Sequence, residues 1–113
     1  MTMEEIIEQY NLYLNKVPKG TMYIAERLRE DNLHEALTAI KDFSEGVIWL
    51  SQATQLFKQN GVHADLDIEK IREFLLNIND GLEKQDYILV ADMFEYEITE
   101  FFNAPPLARG LIL

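Results

Sequence analysis

Prolines stand at only two places in this chain, Pro18 and the pair Pro105-Pro106, and five glycines are spread over 113 residues. Between these points apolar residues return every three or four positions, the period of an α-helix. So few breakers, set in a helical period, leave little room for many short strands. The expectation is an all-α fold in a single domain over residues 1–113, long enough to bury a core without staples.

The segments can be placed from their ends. Thr2 and Glu5 form an S/T-x-x-E capping box, which predicts a helix start near Met3. Ile6, Ile7, Tyr10 and Leu14 follow at helical spacing. Val17-Pro18-Lys19-Gly20 predicts a break, because proline removes a helical donor and disfavours the helical conformation at Val17. Helix resumes near Thr21, with Ile24, Ala25 and Leu28 inward, and stops at Glu30-Asp31-Asn32. The longest segment runs from Leu33 to about Asn60, with Gly61 just past its end. Leu33, Ala36, Leu37, Ile40, Phe43 and Val47 make one stripe, while Trp49, Ala53 and Leu56 lie on the opposite side. The N-terminal helix before Pro18 is expected to cover that second side. Gly46, inside the helix, costs about 1 kcal/mol relative to alanine. A close helix crossing there would account for it.

Asp65 or Asp67 caps the next helix, which carries Leu66, Ile68, Ile71, Phe74, Leu75, Ile78 and Leu82. Glu83-Lys84-Gln85 is a tight connection, and Asp86 caps a last helix to about Asn103. That helix is expected to bury Tyr87, Val90, Ala91, Phe94, Ile98 and Phe101. Pro105-Pro106 ends it, leaving an apolar tail within 104–113 that is expected to fold onto its own bundle. The stretch Leu28 to Ile40 aligns with Leu82 to Phe94 as helix, tight turn, helix. Two such hairpins predict an antiparallel four-helix bundle whose first helix is broken at Pro18–Gly20.

The formal charge of −10 repels phosphate backbones and anionic lipid heads, so neither nucleic acid nor a membrane is the expected partner. No apolar run approaches the roughly 20 residues that span a bilayer. The absence of cysteine removes disulfides, thiolate zinc sites and thiol nucleophiles together. The start Met1-Thr2-Met3-Glu4-Glu5 is acidic, unlike a signal peptide, and a cytoplasmic protein is expected.

No catalytic, metal-binding or cofactor-binding set assembles from the residues. Asp31-x-x-His34 is a lone approximation to the paired Glu-x-x-His of di-iron bundles. Asp65-x-Asp67-x-Glu69 fails as an EF-hand loop, with Lys70 where glycine is needed and Leu76 where glutamate is needed. Glu5-x-x-Glu8, Glu97-x-x-Glu100 and Glu83-x-x-Asp86 echo the magnesium-binding pairs of helical nucleotide pyrophosphohydrolases. They lack the hairpin spacing that would close a cage. A metal-dependent hydrolase of that type is therefore the enzyme alternative to a non-enzymatic reading.

One face could bind a protein. Leu89, Asp92, Tyr96 and Thr99 lie opposite the Phe94 stripe, with Glu95 and Glu100 beside them. Tyrosine suits interfaces because it joins a large apolar body to a polar tip. Trp49, the single tryptophan, is a second candidate anchor, although packing under the N-terminal helix also accounts for it. The favoured function is a protein-interaction module, an adaptor or chaperone-like factor. A self-associating structural protein, such as a homodimer, is the third alternative.

Three stretches resemble a family of small uncharacterised all-helical proteins and domains of Gram-positive bacteria. They are Val17-Pro18-Lys19-Gly20 leading to Tyr23-Ile24-Ala25-Glu26-Arg27-Leu28-Arg29, then Glu45-Gly46-Val47-Ile48-Trp49-Leu50-Ser51-Gln52-Ala53, and the run from Asp86 to Glu97. The resemblance implies a small helical bundle in a bacterial cytosol and supplies no catalytic residue.

Overall fold

A computed structural model describes residues 1–105 and 107–109. Its elements are α1 (Met3–Arg29), α2 (Leu33–Gln59), α3 (Ile68–Glu83), α4 (Tyr87–Asp92), a π-helical turn (Met93–Ile98) and α5 (Thr99–Asn103). The last three run on as one rod. The fold is all-helical, and the helices pack side by side into a body 50 × 23 × 21 Å.

The ends follow from local chemistry. The Glu5 N–H donates to the Thr2 hydroxyl at 3.2 Å, and the Lys70 N–H donates to the Asp67 carboxylate at 3.0 Å. The Leu89 N–H donates in the same way to Asp86 at 3.1 Å. Each cap satisfies a donor that the first helical turn leaves free. Gly61 follows α2 with φ 73°, the left-handed conformation that glycine adopts without a Cβ penalty.

The expected break at Pro18–Gly20 is not there, because α1 passes through it without interruption. The stripe Tyr10, Leu14, Val17, Thr21, Ile24, Leu28 keeps helical spacing across the proline, and all six side chains are buried. Interior proline costs about 3 kcal/mol. Gly20 adds about 1 kcal/mol relative to alanine. Burying each large aliphatic side chain returns about 1.5–3 kcal/mol, so the stripe outweighs the two breakers. The Thr21 hydroxyl lies 2.9 Å from the Pro18 carbonyl, inside the same turn.

The π-turn was not foreseen, and it shifts the core by one residue. The Thr99 N–H reaches the Phe94 carbonyl, five residues back. The extra residue rotates the remainder of the rod, so Phe102 is fully buried where Phe101 was expected, and Phe101 is only partly buried. Phe43 then meets Phe94 and Phe102 edge-on at centroid distances of 5.3 and 6.4 Å. These contacts tie α2 to the last rod through the centre. The two irregular turns also face each other. The Thr21 and Thr99 hydroxyls lie 2.6 Å apart in the core, and Thr99 lies 2.6 Å from the Phe94 carbonyl. Two hydroxyl protons serve three acceptor contacts, and the order Thr21 to Thr99 to Phe94 uses both.

Between α1 and α2, Tyr10 meets Phe57 edge-on at 4.9 Å. Its hydroxyl donates to Thr54 at 2.7 Å, and Thr54 donates onward to the Leu50 carbonyl at 2.8 Å. Trp49 lies against Tyr10 and Tyr13 at 6.1 and 6.3 Å, so residues of α1 before Pro18 do cover that side of α2. Beyond α5, the Asn11 amide pairs with Ala108 in both directions, at 2.8 and 3.0 Å. Arg109 exchanges backbone hydrogen bonds with His63 at 2.9 and 3.1 Å. This part of the tail docks on α1 and on the loop between α2 and α3, while Leu111–Leu113 lie outside the described residues.

Candidate functional site

The Asp86 cap sets the rotation of α4. Val90 and Ala91 turn inward, and Ile88 and Leu89 turn outward. Ile88 is 74% exposed, Leu89 46% and Tyr96 66%. Ile88, Asp92 and Tyr96 are spaced by four, which puts them along one outer line. Ile88 was missed from the sequence, although that spacing was available. Thr99, expected on the same outer face, is instead buried against Thr21, because the π-turn rotates the rod ahead of it.

Asp92 is committed to another residue. Arg29, at the end of α1, donates to Asp92 at 2.7 Å and to Glu95 at 3.2 Å. The Asp92 hydrogen bond, together with that of Glu95, raises the guanidinium above its usual value. The neighbouring Glu95 carboxylate also holds the Tyr96 phenol above its ordinary 10.0. Glu100, four residues beyond Tyr96, is exposed and accepts from Asn103 at 3.4 Å. Leu89, Asp92, Tyr96 and Glu100 therefore share one rod. Trp49 is set apart on α2, under α1.

The acidic pairs do not converge. Glu5 and Glu8 lie near the start of α1, and Glu97 and Glu100 on the last rod. Glu83 ends α3, and Asp86 spends its carboxylate on the α4 cap. Among the described residues, no group of three or more His, Cys, Asp or Glu is placed to hold a metal ion. Asp67 caps α3 and Glu69 stands in its first turn, while the Asp65 carboxylate meets the His63 ring at 2.7 Å.

A second feature was not visible in the sequence. Between α1 and α2 lies a cleft of about 640 Å³. Val17, Ile24 and Phe43 form its floor, Tyr13 and Tyr23 its ends, and Lys16, Lys19 and Asp42 its rims. Its size falls in the range of small-molecule sites, roughly 300–1,000 Å³. Tyr23 donates weakly to Glu35 at 3.3 Å. Burial, with Asp42 nearby, pushes the Tyr13 phenol above its ordinary 10.0, which keeps it a neutral donor.

A family model described as a domain of unknown function (DUF8042) matches residues 5–104. The chain belongs to this family. The DUF8042 match takes in the cleft and the whole last rod. No curated protein and no solved structure matches the chain. Among the described residues, no helix is long and apolar enough to cross a membrane.

Proposed function

We propose that this DUF8042 chain is a non-enzymatic protein-interaction module, an adaptor or chaperone-like factor, built as an antiparallel four-helix bundle of two hairpins. The bundle reading is supported by the pairing of α1 with α2, in which Tyr10 meets Thr54, Tyr13 meets Trp49 and Tyr23 meets Glu35. Residue numbers rise on one helix as they fall on the other. The setting is the cytoplasm of a Gram-positive bacterium, as the family resemblance implies.

The observation that carries the function is the outer face of the last rod. Ile88, Leu89 and Tyr96 turn away from a helix whose inner side is fully packed. Arg29 anchors that face through Asp92 and Glu95, so it is ordered before a partner arrives. Preorganisation of this kind lowers the entropy lost on binding. Glu97 and Glu100 give it an acidic border, so the complementary surface is apolar with a basic rim.

The test is a pull-down from native cytosol with wild type and a Leu89→Glu/Tyr96→Glu variant, with circular dichroism and sedimentation on both. The reading expects a basic-rimmed partner that wild type retains and the folded variant loses. Equal capture by both proteins would remove this face from consideration. A concentration-dependent dimer that the variant abolishes would make the partner a second copy of the chain.

A further inference from the structure

The cleft between α1 and α2 stands where the chain gives up helix stability without a packing reason. Gly20 lies in the middle of α1, and its φ is not in the left-handed region. A Cβ built there meets nothing within 4 Å. Neither backbone conformation nor a close neighbour calls for glycine. What glycine does is leave the space above Val17 and Ile24 empty. Opposite it, α2 presents Ala39, another small side chain. The recess is therefore a product of residue choice on both helices.

Tyr23 at one end of the cleft is paired with Glu35, but the cleft's lysines are uncommitted. Lys16 and Lys19 are three apart on α1, which sets their side chains as neighbours about 5–6 Å apart at Cβ. Among the described residues neither makes an ion pair, which is also true of Lys41 and Lys58 on α2, whereas Arg27, Arg29, Lys70, Arg72 and Lys84 do. The Tyr13 hydroxyl makes no hydrogen bond among the described residues either. Two ammonium groups and one phenol thus border an apolar floor on a chain of net charge −10. Asp42, on the opposite rim, repels an anion and so directs a negative head toward the lysine side.

We propose that this cleft binds a small amphipathic carboxylate. Its apolar body lies over Val17, Ile24 and Phe43, and its carboxylate sits beside Lys16 and Lys19, away from Asp42. The inference is independent of the partner face on the last rod, which lies on other elements.

The test is an amide NMR titration of the full chain with dodecanoate below its micelle threshold, with dodecylamine as the control of equal chain length and opposite charge. Saturable shifts centred on Gly20, Ala39 and Asp42 are expected with dodecanoate and absent with dodecylamine. Lys16→Glu/Lys19→Glu should weaken dodecanoate binding at least tenfold. Gly20→Leu should fill the recess and abolish it while circular dichroism shows an intact helix. Equal binding of the two probes would overturn the proposal. So would shifts scattered over the surface, or binding that survives Gly20→Leu.

Discussion

The seam between α1 and α2 is closed at one end and open at the other, and each end is marked by a glycine. A Cβ on Gly46 would lie 1.7 Å from the Tyr13 hydroxyl and 2.4 Å from its ring. Here glycine lets an aromatic side chain press onto the facing helix, and Tyr10, Tyr13 and Trp49 fill the space. At Gly20 a Cβ would meet nothing. The same residue type serves tight packing at one end and an empty recess at the other. Its occurrence inside a helix therefore says only that a side chain is unwelcome. The neighbours decide why.

The largest effect should come from breaking the closed end. Gly46→Val places branched carbons inside the Tyr13 phenol and should lower stability by about 2–3 kcal/mol. Denaturant unfolding of the single variant and of Gly46→Val/Tyr13→Ala checks this, because removing the phenol should restore part of the loss. The open end is held from behind, where Thr21 meets Thr99. Thr21→Val leaves a buried hydroxyl short of a partner and should cost about 1–3 kcal/mol. Thr21→Val/Thr99→Val should cost less than the sum of the single variants, which a double-mutant cycle reads directly.

The closed end should also be the alkali-sensitive one. Burial raises the Tyr10 phenol above its ordinary 10.0, with the Thr54 hydrogen bond partly opposing, and burial raises Tyr13 as well. Above about pH 10 the unfolded chain loses these protons first. The folded state then holds more protons, so stability present below pH 10 falls as pH rises. Thermal melts across pH 8 to 11 should show the decline, and Tyr10→Phe should flatten it. The smallest effect belongs to Arg29→Ala, whose ion pairs are solvent-exposed. Any loss should shrink further in high salt.

Much of the fold was legible because helix ends have local causes. Thr2, Asp67 and Asp86 cap where their side chains predict, and Gly61 turns where α2 stops. Gly46 signalled a close crossing, and Tyr13 is the group that crosses. The helix runs through Pro18 because the buried stripe outweighs the local preference for a break. Tyr10, Leu14, Val17, Ile24 and Leu28 continued past it, and Thr21 concealed the continuity by being a buried polar residue. The π-turn left one faint trace, the adjacent pair Phe101-Phe102, which lets either ring face the core. On the candidate surfaces, Leu89 and Tyr96 were readable from spacing. The Arg29 clamp on Asp92 joins residues 63 positions apart, and no local pattern carries that. The cleft was hidden for a different reason. It is defined by what Gly20 and Ala39 do not fill.

The most direct test of the account is the thermal unfolding of Gly20→Ala beside wild type. If the recess is kept open at the expense of helix stability, alanine should raise stability by about 0.5–1 kcal/mol. For a chain of this size that is a rise of about 2–5 °C in Tm. An unchanged or lowered Tm would mean that Gly20 meets a structural demand of α1, and the contrast between the two ends of the seam would fail.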